Sequence, residues 1–106
     1  MRRSIVGLLV VAGTVFAGRF ALAHSAICTC FDNGDQTITC EGGFSDGSSA
    51  TGVGLRVLDG SDKLLVDGKM DKDGMFTFKK PAVEYHVVFD AGQGHVVTID
   101  GTDITE

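Results

Sequence analysis

The chain reads as all-β: a single seven-stranded antiparallel sandwich, preceded by a signal segment that is removed. Three observations predict this. Glycines and aspartates punctuate residues 24–106 roughly every 8 to 12 residues. Between them lie short runs rich in Val, Ile, Thr, Phe and Leu. No window sustains helical periodicity, so the apolar residues have no amphipathic helix to line.

The first segment differs from the rest. Met1-Arg2-Arg3 is a positive start, residues 5–17 form an uncharged apolar run of 13 residues, and Ala21-Leu22-Ala23 is an A-x-A cleavage signal. This combination predicts a secretory signal peptide over residues 1–23, with a β-sandwich domain at 24–106. The apolar run falls short of the roughly 18 to 20 residues that a spanning helix needs, so no membrane insertion is expected after cleavage. Arg2-Arg3 hints at a twin-arginine export route. Ile27 before Cys28 does not fit a lipid-attachment site. The expected location is periplasmic or secreted.

Cleavage would remove Arg2, Arg3 and Arg19, leaving six basic residues against 14 acidic ones, a formal charge of −8. No basic patch remains to neutralise phosphates, which argues against nucleic acid and anionic lipid as partners. The domain is too short for more than one core.

The strands follow in order. The first covers 27–31 and ends at the turn signal Asp32-Asn33-Gly34-Asp35. The second covers 36–41, before a glycine- and serine-rich loop at 42–49. The third covers 53–58, with Val53, Leu55 and Val57 on one face and Arg56 on the other. Asp59-Gly60-Ser61-Asp62 turns the chain into a fourth strand at 63–69, and Asp71-Lys72-Asp73-Gly74 turns it into a fifth at 75–79 with Phe76 and Phe78 inward. Pro81 interrupts the run. The sixth strand covers 84–90, with Tyr85, Val87 and Phe89 inward, and the last covers 95–100. The two aspartate-rich turns look like fragments of calcium loops, but they lack the glutamate at the twelfth position and the flanking helices, so they are read as hairpin turns.

Cys28 and Cys30 alternate onto one face of the first strand, and Cys40 lies on its hairpin partner. A three-residue loop of Asn33, Gly34 and Asp35 pairs Asp32 with Gln36 and sets Cys28 opposite Cys40; a four-residue loop sends Cys40 to the other face. In an oxidising compartment the first register permits a Cys28–Cys40 disulfide. Buried free thiols and a soft-metal role stay open as alternatives. C-x-C is not the C-x-x-C spacing of zinc or redox motifs.

Residues 44–78 read FSDGSSATGVGLRVLDGSDKLLVDGKMDKDGMFTF. This resembles the transthyretin-like, carboxypeptidase-regulatory-type β-sandwich domains. They share a glycine, an alternating strand ending in aspartate, a turn, a strand, and then D-x-x-G-x-F-x-F. Within that class the chain is most similar to small exported accessory proteins of nickel and cobalt uptake systems. The matches are His24 at the expected mature start, Phe44-Ser45-Asp46-Gly47, and Asp90-Ala91-Gly92-Gln93-Gly94-His95. The resemblance implies an Ig-like or transthyretin-like fold, a nickel or cobalt ion, and a membrane metal-uptake transporter as partner. The three cysteines depart from that pattern.

His24 and His95 carry the candidate chemistry. A histidine at a free N-terminus offers its α-amine and its ring Nδ1 to one ion, and the amine must lose its proton to bind. His95 is the natural source of a third nitrogen. Imidazole suits nickel, copper and zinc alike, so copper stays possible as the ion. Asp90 is read as a supporting carboxylate that caps the turn or orients a histidine, not as a ligand. His86 shares the outward parity of Glu84 and is read as a solvated strand residue.

No G-x-S-x-G elbow, phosphate-binding glycine loop or paired carboxylate site is present, so no catalytic role is expected. The competing expectation to metal handling is a non-catalytic protein–protein interaction module of the cell envelope.

Overall fold

The structure is a computed structural model that describes residues 24–106; the signal peptide expected at residues 1–23 lies outside them. Seven strands follow in chain order: β1 (Ala26–Asp32), β2 (Thr37–Phe44), β3 (Gly54–Asp59), β4 (Leu64–Lys69), β5 (Met75–Lys79), β6 (Tyr85–Asp90) and β7 (Val96–Asp100). They form two antiparallel sheets, ordered β1-β2-β5 and β4-β3-β6-β7. The all-β sandwich read from the punctuation is therefore the observed architecture. A single 3-10 turn, Gly101–Asp103, closes the chain beyond β7.

Alternation decides which side chains meet between the sheets. From one sheet come Cys30, Ile38, Cys40 and Phe78; from the other come Leu55, Val57, Tyr85, Val87 and Phe89. Ile38, Cys40, Leu55, Val57, Val87 and Phe89 are fully buried. The inward faces expected for the third, fifth and sixth strands are the faces that form this core. At Gly42 the sheets come close enough that a Cβ would lie 2.5 Å from Cε1 of the buried Phe89 ring.

The β1–β2 hairpin corrects the register expected from its turn. Asn33 N–H donates to the Thr37 carbonyl at 3.0 Å, so the three loop residues are Gly34, Asp35 and Gln36. The loop has the expected length but lies one residue later in the chain. Gln36 adopts the left-handed conformation with φ of 75°. Glutamine rarely does so, which is why composition pointed to the wrong frame. Asn33 also donates from its side chain to the Thr37 and Thr39 hydroxyls at 2.9 and 2.8 Å. The shift pairs Cys30 with Cys40 and Cys28 with Gly42. All three cysteines keep one face because the register moves by two residues.

Aspartates brace the turns. Asp59 Oδ1 accepts from the Ser61 and Lys63 amides, and Asp71 Oδ1 from those of Asp73 and Met75. Asp32, Asp46, Asp90 and Asp100 each accept from the amide two residues on. In the two stretches that look like calcium-loop fragments, these carboxylates satisfy their own backbone, as hairpin turns require. The amides hold several carboxyls below their ordinary range: Asp59 through Lys63 and then Ser61, Asp71 through Met75 and then Asp73, and Asp100 through Thr102.

Two outcomes follow from this packing and bonding. Gly42→Ala should destabilise the domain by about 1–3 kcal/mol in chemical denaturation, because Phe89 has no free space to retreat into. Acid should weaken the fold in a defined window. A depressed folded pKa contributes stability above the ordinary carboxyl value of 3.8, and that contribution is lost as pH falls through the lower folded values. Denaturation midpoints measured downward from neutral pH should fall below about pH 4. Asp71→Asn should make that fall shallower; an unchanged profile would contradict the assignment.

Candidate functional site

One end of the sandwich gathers residues from both sheets. On one side the β1–β2 ladder continues past Ala26, which pairs with Phe44. Ser25 N–H donates to Ser45 Oγ at 2.7 Å, and Ser45 N–H donates to the Ser25 carbonyl at 2.9 Å. These bonds carry the chain out to His24 beside the loop of Phe44, Ser45, Asp46 and Gly47. On the other side, the β6–β7 hairpin delivers His95. Its turn is closed by Ala91 N–H to the His95 carbonyl at 3.0 Å and His95 N–H to the Gly92 carbonyl at 2.8 Å. Gly92 and Gly94 take φ values of 109° and 82°, which only glycine adopts readily.

The two histidines meet. Their ring centroids are 5.2 Å apart and their planes differ by 14°. Phe44 forms the floor: its ring lies edge-on to both, at 6.2 Å from His24 and 6.5 Å from His95. Phe44 in turn packs against the buried Phe89 at 6.4 Å. The pair thus rests on the core, although His24 itself is exposed and His95 half-buried.

His95 Nδ1 lies 3.2 Å from the Gln93 carbonyl oxygen. A carbonyl only accepts, so this bond requires the proton on Nδ1 and leaves the Nε2 lone pair free. Such a backbone bond is a usual way of fixing the tautomer of a ligating histidine. Asp90 does not fill that role. Its Oδ1 accepts from Gly92 N–H at 3.0 Å, and its Oδ2 pairs with Arg56 at 3.3 Å. Of the roles considered for Asp90, the structure shows the turn cap, together with a tie to β3.

Phe44, Ser45 and Asp46 had no assigned role in the sequence reading beyond their part in a motif. Asp46 lies close enough to His24 for the imidazole to draw its carboxyl pKa down. The larger causes are the Ser48 hydroxyl, 2.6 Å away, and the Ser48 amide. The observed β1–β2 register, extended beyond Ala26, sets His24 across from Asp46, whereas the register expected from the turn sets it across from Phe44. His86 stands apart from the site and faces Asp62, with Nε2 3.3 Å from its Oδ1.

The cysteines form a second cluster, between the sheets. The disulfide joins Cys30, not Cys28, to Cys40, as the observed register dictates. Cys28 is the free thiol among the described residues. Burial pushes its pKa up to about 11. The three sulfurs lie within 4.8 Å of one another. With two of them bonded together, the cluster presents one thiol and is not a metal centre in this form. The bridge fits an oxidising compartment. Among the described residues no helix is long and apolar enough to cross a membrane.

Ser45→Ala should loosen His24 without unfolding the domain. The expected result is faster amide hydrogen exchange at Ser25, by about fivefold to tenfold for one lost hydrogen bond, with core amides unchanged. Unchanged exchange at Ser25 would show that the bond does not hold the segment.

No protein-family model, curated protein or solved structure matches the chain, so a functional reading has to start from the geometry of this end of the sandwich.

Proposed function

We propose that the processed protein, beginning at His24, binds a transition metal ion through His24 and His95 and assists metal uptake or handling outside the cytoplasm. One observation carries the reading: two imidazoles from opposite sheets lie 5.2 Å apart on an aromatic floor. Metal–nitrogen bonds near 2 Å place the centres of two ligating imidazoles within roughly 6 Å of each other, and the 5.2 Å between these rings falls inside that limit. Cleavage after Ala23 would add the α-amine, giving His24 two donors and the site three nitrogens. The Nδ1 bond of His95 supports ligation through Nε2. Nickel or cobalt is favoured by the resemblance to uptake accessory proteins, and that resemblance also suggests a membrane transporter as recipient. The donor set itself equally suits copper.

Protein docking is a second reading, favoured by β4. This strand is a sheet edge, and Leu64 and Leu65 on it are 48% and 38% exposed. An unpaired edge bearing apolar side chains is a place where another chain can add.

The metal reading is tested by calorimetric titration of the processed protein with nickel and with copper. The measurement is then repeated on a form with one extra residue before His24 and on His95→Ala. Each change should weaken binding at least tenfold. Binding to the unaltered protein should strengthen as pH rises through the amine range of about 7.7 to 8.0. Affinity unmoved by both changes would sink the mechanism and leave docking as the better account.

A further inference from the structure

The inner face of the first hairpin carries sulfur at two positions on one strand and a single sulfur partner on the other. Cys28 and Cys30 are two residues apart on β1, and that spacing matches the strand period. Cys40 is bonded to Cys30, and the Cα atoms of the pair are 4.0 Å apart. Cys28 stands opposite Gly42, so no β2 side chain faces it directly. Its sulfur lies within 4.8 Å of both bonded sulfurs. β1 is the edge of its sheet, hydrogen-bonded in a ladder to β2 alone.

We propose that Cys28 and Cys30 compete for Cys40, so that the protein exchanges between two disulfide isomers as β1 slips by two residues along β2. The Cys28 thiol loses its proton to solvent, and its sulfur attacks Cys40 Sγ. A Cys28–Cys40 bond forms as the Cys30–Cys40 bond breaks. The electron pair leaves on Cys30 Sγ, which takes up a proton. One thiol and one disulfide are present before and after, so no outside oxidant or reductant is consumed.

The slip is needed because Cys28 and Cys40 are now diagonal neighbours. Diagonal Cα separations are about 7 to 8 Å, beyond what a disulfide spans without backbone movement. A two-residue slip returns every side chain of β1 to its own face. It places Cys28 where Cys30 was, sulfur for sulfur, and the small Ala26 where Cys28 was. It also recentres the loop on Asn33, Gly34 and Asp35. Against it stand the bonds of the observed register: Lys80 to Asp32 at 2.8 Å, Asp32 N–H to the Thr105 carbonyl at 3.0 Å, and the paired Ser25–Ser45 bonds. These make the observed isomer the favoured one. The slip draws His24 back by about 6.7 Å, two strand rises, and so separates it from His95. On the proposed metal-binding reading, the second isomer is therefore the one without the histidine pair.

Disulfide mapping of the metal-free protein tests the exchange independently of metal binding. The protein is incubated at about pH 7 and at about pH 9, acid-quenched, alkylated without reduction and mapped by mass spectrometry. A fraction alkylated at Cys30, with Cys28 bonded to Cys40, is expected. It should appear about 100-fold faster at the higher pH, as the thiolate population of a group titrating well above both values requires. Alkylation confined to Cys28 at both pH values would overturn the proposal, whatever the variants do. Cys28→Ser should abolish the exchange. Cys30→Ser, oxidised with glutathione disulfide, which takes up the two electrons, should form a Cys28–Cys40 bridge and lose exchange protection at the Ser25 amide. A bridge formed with that protection intact would refute the slip.

Discussion

The bond from Asn33 N–H to the Thr37 carbonyl governs more of this domain than its position suggests. It closes the first turn around Gly34, Asp35 and Gln36, and so sets which residues of β1 and β2 face each other. From that alignment follow the Cys30–Cys40 bridge, the opposition of Cys28 to Gly42, and the Ser25–Ser45 bonds that extend the ladder to His24. Moving the turn by one residue on each side would alter all of these while leaving the apolar face of each strand unchanged. The hydrophobic pattern is indifferent to even register shifts, so the turn has to make the choice.

Much of the fold was legible because it rests on alternation. Leu55 and Val57, Phe76 and Phe78, and Val87 and Phe89 mark inward faces that any register within a sheet must respect. The end of β2 was harder. Gly42 and Gly43 look like loop residues, yet the strand runs through them to Phe44, because the Phe89 ring occupies the space beside Gly42. The disulfide joins Cys30, not the permitted partner Cys28, to Cys40 for a related reason: the pairing depends on the φ of Gln36, which composition does not announce. At the candidate site, the two histidines could be singled out as chemistry-bearing residues. Phe44, Ser45 and Asp46 acquire their roles only through pairing across the hairpin and packing against the other sheet.

The aspartates give an acidic chain a structural use for its charge. Seven of them accept backbone amides at turns, and Asp90 and Asp32 also reach Arg56 and Lys80. Asp90 combines both duties in the hairpin that presents His95. Its tie to Arg56 on β3 anchors the turn to the neighbouring strand, while the glycines give the loop its shape. The arrangement leaves the His95 ring to be oriented by the Gln93 carbonyl.

His24 and His95 stand near opposite ends of the described chain, and each reaches the site from a different sheet. Their approach depends on the β1–β2 hairpin, on the β6–β7 hairpin and on the seating of one sheet against the other. It is among the least local contacts the topology contains, and bringing its two ends together carries the entropy cost of closing the loops between them. An unfolded chain therefore carries two isolated imidazoles, and only the finished domain holds them together. Any ligand that needs both rings binds the native state alone, and by mass action it deepens the stability of the fold that assembled them.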